Sequence, residues 1–244
     1  MNSPAARSGA PNAVPFSMPP EFDGERYNEI NAKLAPFSRS HEPAWRSFAS
    51  GWMGVAGRFR AAAETNAVFA ESIARSTAPP GDERFLQDHG LFVFCLAMLS
   101  TVECFSFAVY AAGAVIDPAP FPLSTEQDLR FYPKDVVKAL AAAFPNEPLA
   151  GSLGETIAHA QYQTILELRN YLGHRGGLPR MSYMSNIPGN DRPSTVPGNA
   201  QAPSAGWQFT LELTPALTGE AYRFLADRVR RLQHDFLSLL QARL

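Results

Sequence analysis

The sequence predicts an all-α fold, an up-and-down bundle of four to five main helices, with a small β-hairpin or strand insertion near residues 181–213. Three observations predict it. Apolar residues recur at intervals of three and four through long stretches of the chain. Proline- and glycine-rich breaks separate those stretches. Only "WQFTLEL", residues 207–213, alternates apolar and polar residues as a half-buried strand does. At 244 residues and 45% hydrophobic, the chain can bury a substantial core in one domain.

The opening "MNSPAARSGAPNAVPFSMPPE" has prolines where a signal peptide needs an unbroken apolar run, so residues 1–25 are expected to form a disordered tail ahead of one domain, 26–244. A long helix is expected from about Pro43 to Ser76, with Trp45, Phe48, Trp52, Val55 and Phe59 at helical spacing. Gly51, Gly54 and Gly57 recur inside it. Each costs about 1 kcal/mol relative to alanine, so another helix is expected to approach closely there. After "TAPPGDE", a second long helix runs from about Glu83 to Val115. Its apolar part, residues 91–116, is long enough to span a bilayer. Glu103 near its middle, and Asp88 and Asp117 without a Lys/Arg bias at its ends, favour a buried core helix over a membrane span.

The proline-rich "DPAPFPLSTEQD" leads to a short helix with Pro133 at its start, where the missing N–H costs nothing. "PNEP" precedes a helix from about Leu149 to Leu172. A long Pro/Gly-rich loop, about 175–206, follows, and "MSYM" within it is a candidate partner for the 207–213 strand. The last helix, about Pro215 to Ala242, carries Phe224, Leu225, Val229, Leu232, Phe236 and Leu239.

Several chemistries are disfavoured. The net charge of −2 gives no overall basic field, although a local arginine cluster can still bind phosphates. The two cysteines, Cys95 and Cys104, both lie in the apolar run, which argues against a disulfide scaffold and for a reducing, cytoplasmic setting. His41, His89, His159 and His234 lack metal-ligand spacing, and there is no HExxH, paired CxxC, Walker-type loop or GxSxG elbow. No metal and no cofactor are expected.

The stretch "ILELRNYLGHRGGLPR", Ile165 to Arg180, is different. Tyr162, Ile165, Arg169 and Leu172 fall along one side of a helix, so Arg169 sits at a buried stripe and needs an anion or a route to solvent. Five positions separate Arg169 from His174, about 140° around a continuous helix. A helix ending at Gly173 in a left-handed cap removes that mismatch and lets His174 swing towards Arg169. Glu103, in a helix apolar almost all round, is expected to hydrogen-bond Arg169, His174 or another basic group nearby, either as a site carboxylate or as a structural ion pair.

"RNYLGH" resembles the arginine, polar residue, three residues, histidine signature of the HEPN domain family, helical domains common in prokaryotic toxins and RNA-targeting defence systems. The resemblance covers six residues by motif and about 40–244 by architecture. It implies metal-independent endonucleolytic cleavage of single-stranded RNA at a site formed across a homodimer, leaving a 2′,3′-cyclic phosphate and a 5′-hydroxyl. Arg169 would stabilise charge on the scissile phosphate, His174 would act as general acid or base, and Asn170 would orient the histidine or a phosphate oxygen. Glu103 would support the site, and Arg175 and Arg180 would guide the RNA backbone. The expected partners are RNA, a second copy of the chain, and an antitoxin or regulatory protein, with no membrane. Two other readings stand beside it: a non-catalytic HEPN-like module binding RNA, nucleotide or a partner protein, and a membrane-associated or scaffold protein in which the motif is accidental.

Overall fold

The computed structural model describes residues 17–75, 81–123, 132–175 and 213–244. Among them are seven α-helices and one 3-10 turn, and no strand. The expected hairpin near 181–213 and most of the 175–206 loop lie outside the described residues. The all-α expectation holds.

Chain order is α1 (Gly24–Leu34), the 3-10 turn Ala35–Ser38, α2 (Glu42–Arg75), α3 (Gly81–Ile116), α4 (Pro133–Ala143), α5 (Leu149–Ala158), α6 (Ala160–Arg175) and α7 (Pro215–Arg243). α1 is a correction, because residues to 25 were expected to be disordered and no helix was foreseen here. Asp23 caps it, its carboxylate accepting from the Arg26 N–H at 2.9 Å. Phe22 just before it, and Tyr27, Ile30 and Leu34 on it, are buried in the common core.

α2 and α3 form an antiparallel hairpin, and the register is fixed by named contacts. Ser72 O accepts from Gln87 Nε2 at 3.0 Å near the turn. Further along, Gly54 faces Cys104, and Gly51 faces Phe107 and Ala108. A Cβ at Gly51 would stand 2.8 Å from Phe107 Cδ1, and one at Gly54 2.8 Å from Cys104 Sγ. These are the close approaches that the glycine spacing predicts.

α7 closes the bundle, packing on α1, α2, α3 and α5. Phe236 from α7 meets Phe48 and Trp52 of α2 and Phe105 of α3, with ring centroids 5.7–6.4 Å apart. Trp52 stacks on Tyr27 at 4.9 Å and donates its indole N–H to Tyr27 O at 3.1 Å, which ties α1 to α2. α3 is long and apolar enough to cross a membrane by length and composition, yet 61% of its most apolar stretch is buried inside the protein. Neighbouring helices supply the apolar surroundings that α3 requires.

The expected helix from Leu149 to Leu172 is broken. His159 adopts extended backbone (φ −66°, ψ 139°), ending α5 and letting α6 leave in a new direction. The His159 ring Nδ1 accepts from the Gln161 N–H at 3.1 Å, so its own side chain caps the new helix.

Candidate functional site

α6 lies along α3 in the opposite sense. Its early residue Tyr162 feels the charge of Glu103, Arg169 acts on Cys95, and Gly173 faces the Phe92 ring. Within α6, Tyr162, Ile165 and Leu168 are buried, while Arg169 and Leu172 are half-buried. The stripe read from the sequence is therefore the packing face, with Arg169 at its edge.

Arg169 is the unusual member. Its Nε is buried and has no hydrogen-bond partner. A guanidinium stays charged at any ordinary pH, so its charge must be met by something. The two neighbouring groups that could ionise do not meet it. Burial pushes the Cys95 thiol up to about 12, outweighing the opposite pull of Arg169. Burial, followed by the Glu103 charge, pushes the Tyr162 phenol up to about 12 against the same pull. Both groups stay neutral at physiological pH. Among the described residues no carboxylate forms an ion pair or hydrogen bond with Arg169. The edge of the α3–α6 seam thus presents a fixed positive charge with donor capacity to spare.

His174 and Asn170 are exposed on α6. The helix does not end at Gly173, as expected, but continues through His174 to Arg175. Gly173 does not take the left-handed conformation; it remains helical beside the Phe92 ring, where a Cβ would be 3.6 Å from the nearest ring carbon. That is an ordinary van der Waals distance, so the packing does not require a glycine there, and the glycine makes no cap. His174 consequently stays about 140° around the helix from Arg169, and one chain does not bring the two side chains together by the route expected.

Glu103 also departs from expectation. It is exposed, and among the described residues it makes no hydrogen bond or ion pair with Arg169, His174 or any other basic group. α3 is apolar almost all round, but position 103 lies on a side that no described helix covers, and the carboxylate is exposed. Its influence reaches Tyr162 and Cys104 through space. Arg175 ends α6, and Arg180 lies outside the described residues.

Sequence reasoning missed Cys95 as the neighbour of Arg169, because no spacing connects residues on different helices. It also missed a polar cluster between α5 and α7. Ser152 Oγ donates to Asp235 Oδ2 at 2.5 Å, His234 Nδ1 lies 3.2 Å from Asp235 Oδ1, and Arg231 pairs with Glu155 at 2.9 Å. The serine donates to the carboxylate and not to the imidazole, so it lacks the serine–histidine contact of an activated nucleophile. This cluster holds helices together. Among the described residues no group of His, Cys, Asp and Glu is placed to hold a metal ion. Comparisons with protein-family models, curated proteins and solved structures found no match.

Proposed function

We propose that the chain is a HEPN-type, metal-independent endoribonuclease acting on single-stranded RNA. One observation carries the reading: Arg169, the arginine of the motif, stands half-buried with an unpartnered Nε and no counter-ion among the described residues. A phosphodiester supplies the missing charge, and a guanidinium holds phosphate oxygens in a planar fork. The 2′-hydroxyl attacks the adjacent phosphorus, the 5′-oxygen leaves, and the products are a 2′,3′-cyclic phosphate and a 5′-hydroxyl. An imidazole takes the 2′-proton or gives one to the leaving oxygen, which is the part proposed for His174. Asn170, beside Arg169 in sequence and exposed, contributes a neutral donor and acceptor at the rim. Arg175 and Arg180 follow the motif and suit the RNA backbone. The setting proposed is cytoplasmic, with an antitoxin or regulatory protein as a further partner.

Because Arg169 and His174 diverge on one continuous helix, the pair acting on one phosphate is proposed to come from two chains. The test is cleavage of a single-stranded RNA in excess EDTA by the purified protein. Wild type should cut; His174→Ala and Arg169→Met should not, while keeping wild-type helicity. A requirement for added Mg²⁺, or undiminished cutting by both folded variants, rules the reading out. The same divergence favours the second reading, a non-catalytic module that uses Arg169 to hold an RNA or nucleotide phosphate. Binding that depends on Arg169 without cleavage in wild type selects it.

A further inference from the structure

Arg169 is not the sole unpartnered donor on the seam between α3 and α6. Tyr162 stands seven residues earlier on the same face of α6, about 10 Å along the axis. It is 5% exposed, and its hydroxyl makes no hydrogen bond among the described residues. Unlike Arg169 Nε, that oxygen keeps contact with solvent. Burial, followed by the Glu103 charge, keeps the phenol protonated to about 12, so at neutral pH it donates as well as accepts. A hydroxyl left unbonded on so deeply buried a ring calls for a partner.

The seam places a third group beside these two. Gly173 lies against Phe92, and α6 runs opposite to α3. Eleven residues back from Gly173 is Tyr162, and eleven on from Phe92 is Glu103, so the two are level. The charges agree with that register: Glu103 acts on the Tyr162 phenol more strongly than Arg169 does. Glu103 is exposed and makes no hydrogen bond or ion pair among the described residues. Side chains on a helix tilt toward its N-terminus, which carries Arg169 along the seam toward Tyr162. A cation, a neutral hydroxyl and a carboxylate thus stand in a row, each without a partner.

A ligand that is anionic at one end and hydroxylic at the other satisfies all three. The carboxylate makes the Tyr162 end of the row unsuited to a second phosphate and suited to a hydroxyl. A ribose 2′-hydroxyl both donates and accepts, so it can accept from Tyr162 and donate to Glu103. Carboxylates take ribose hydroxyls in this way at dinucleotide sites. We propose that Tyr162 and Glu103 form a ribose-recognition subsite, reading the 2′-hydroxyl of the nucleotide whose 5′-phosphate Arg169 holds. That hydroxyl lies on the 3′ side of the phosphate and is not the one that attacks it, so the subsite selects RNA over DNA without entering the chemistry. The next phosphate stays outside the seam, where water and salt screen it from the carboxylate. The inference rests on the phosphate-holding part proposed for Arg169, and not on cleavage.

Binding of decauridylate and of its 2′-deoxy counterpart to the full chain carrying His174→Ala tests the proposal without losing RNA to cleavage. The ribo form should bind about tenfold more tightly. Adding Tyr162→Phe should bring the two forms within about twofold while leaving the deoxy form's affinity unchanged. Glu103→Ala should narrow the ratio in the same way. A side chain that merely supported the fold would weaken both forms together, and that result overturns the proposal. Equal binding of the two forms before substitution overturns it too, as does a preference that survives Tyr162→Phe. Arg169→Met should lose both forms. Should it lose neither, or should neither form bind at all, the phosphate reading of Arg169 falls and the subsite with it. A missing ribose preference in a chain whose binding still needs Arg169 removes the subsite alone.

Discussion

Arg169 is a cationic side chain whose stem packs in the α3–α6 seam while its Nε finds no partner. Such a group stabilises little on its own account, because desolvating the charge offsets the packing of its stem. Arg169→Met keeps the stem and removes the charge. It should leave stability within about 1 kcal/mol of wild type, or raise it, while abolishing binding of single-stranded RNA. Thermal melts and a binding titration read the two effects separately, and a large loss of stability would show that a hidden counter-ion exists. Asp235→Ala should behave in the opposite way. It strips the acceptor from the buried Ser152 hydroxyl, and should cost about 1–3 kcal/mol in chemical denaturation. The placement of Arg169 was legible, since Tyr162 and Ile165 mark the buried stripe by helical spacing. The position of His174 was not, because a glycine can equally continue a helix or end it, and α6 runs on through Gly173 to Arg175.

Helices approach one another here where glycine permits it. At Gly54 an added methyl would stand 2.8 Å from Cys104 Sγ, so Gly54→Ala should lose about 1–3 kcal/mol to overpacking despite alanine's better helix propensity. Cys104→Ala in the same chain removes the colliding sulfur and should recover most of that loss, a coupling read directly from a double-mutant cycle. The α2–α3 hairpin was legible because two long periodic runs meet at a proline–glycine break and the glycines mark where they touch. α1 was overlooked although Asp23, Tyr27, Ile30 and Leu34 carry a cap and a three-and-four spacing, since the proline-rich residues ahead of it read as one continuous tail. The break at His159 has no proline or glycine beside it. It follows from α5 packing on α7 while α6 packs mainly on α3, a conflict of directions visible only in three dimensions. The outward side of α3 was misread for a related reason: its apolar residues do not distinguish a covered face from an uncovered one.

For the molecule as a whole, the buried phenols of Tyr27, Tyr162 and Tyr222 set an alkaline limit. Burial raises Tyr27 and Tyr162 to about 12, and burial with a hydrogen bond to Glu21 raises Tyr222 further. The folded phenols titrate above the ordinary value near 10 that they regain on unfolding, so the unfolded chain releases its protons first. The stability they contribute is complete below about pH 10 and is lost as the pH rises from there through about 12. Denaturation midpoints should fall across that window, and Tyr162→Phe should make the fall shallower. The closing position of α7 has a further consequence, for the chain as it is made. Tyr222 and Arg230 reach back to Glu21, some two hundred residues earlier, and Phe236 completes an aromatic cluster begun at Phe48. On the ribosome, which releases the chain from its N-terminal side, α1 to α6 must wait for α7 with that cluster open to chaperones and proteases. Ribosome-bound chains halted before Pro215 should be degraded readily by added protease, and chains carrying an added C-terminal linker long enough to bring α7 out of the exit tunnel should resist it.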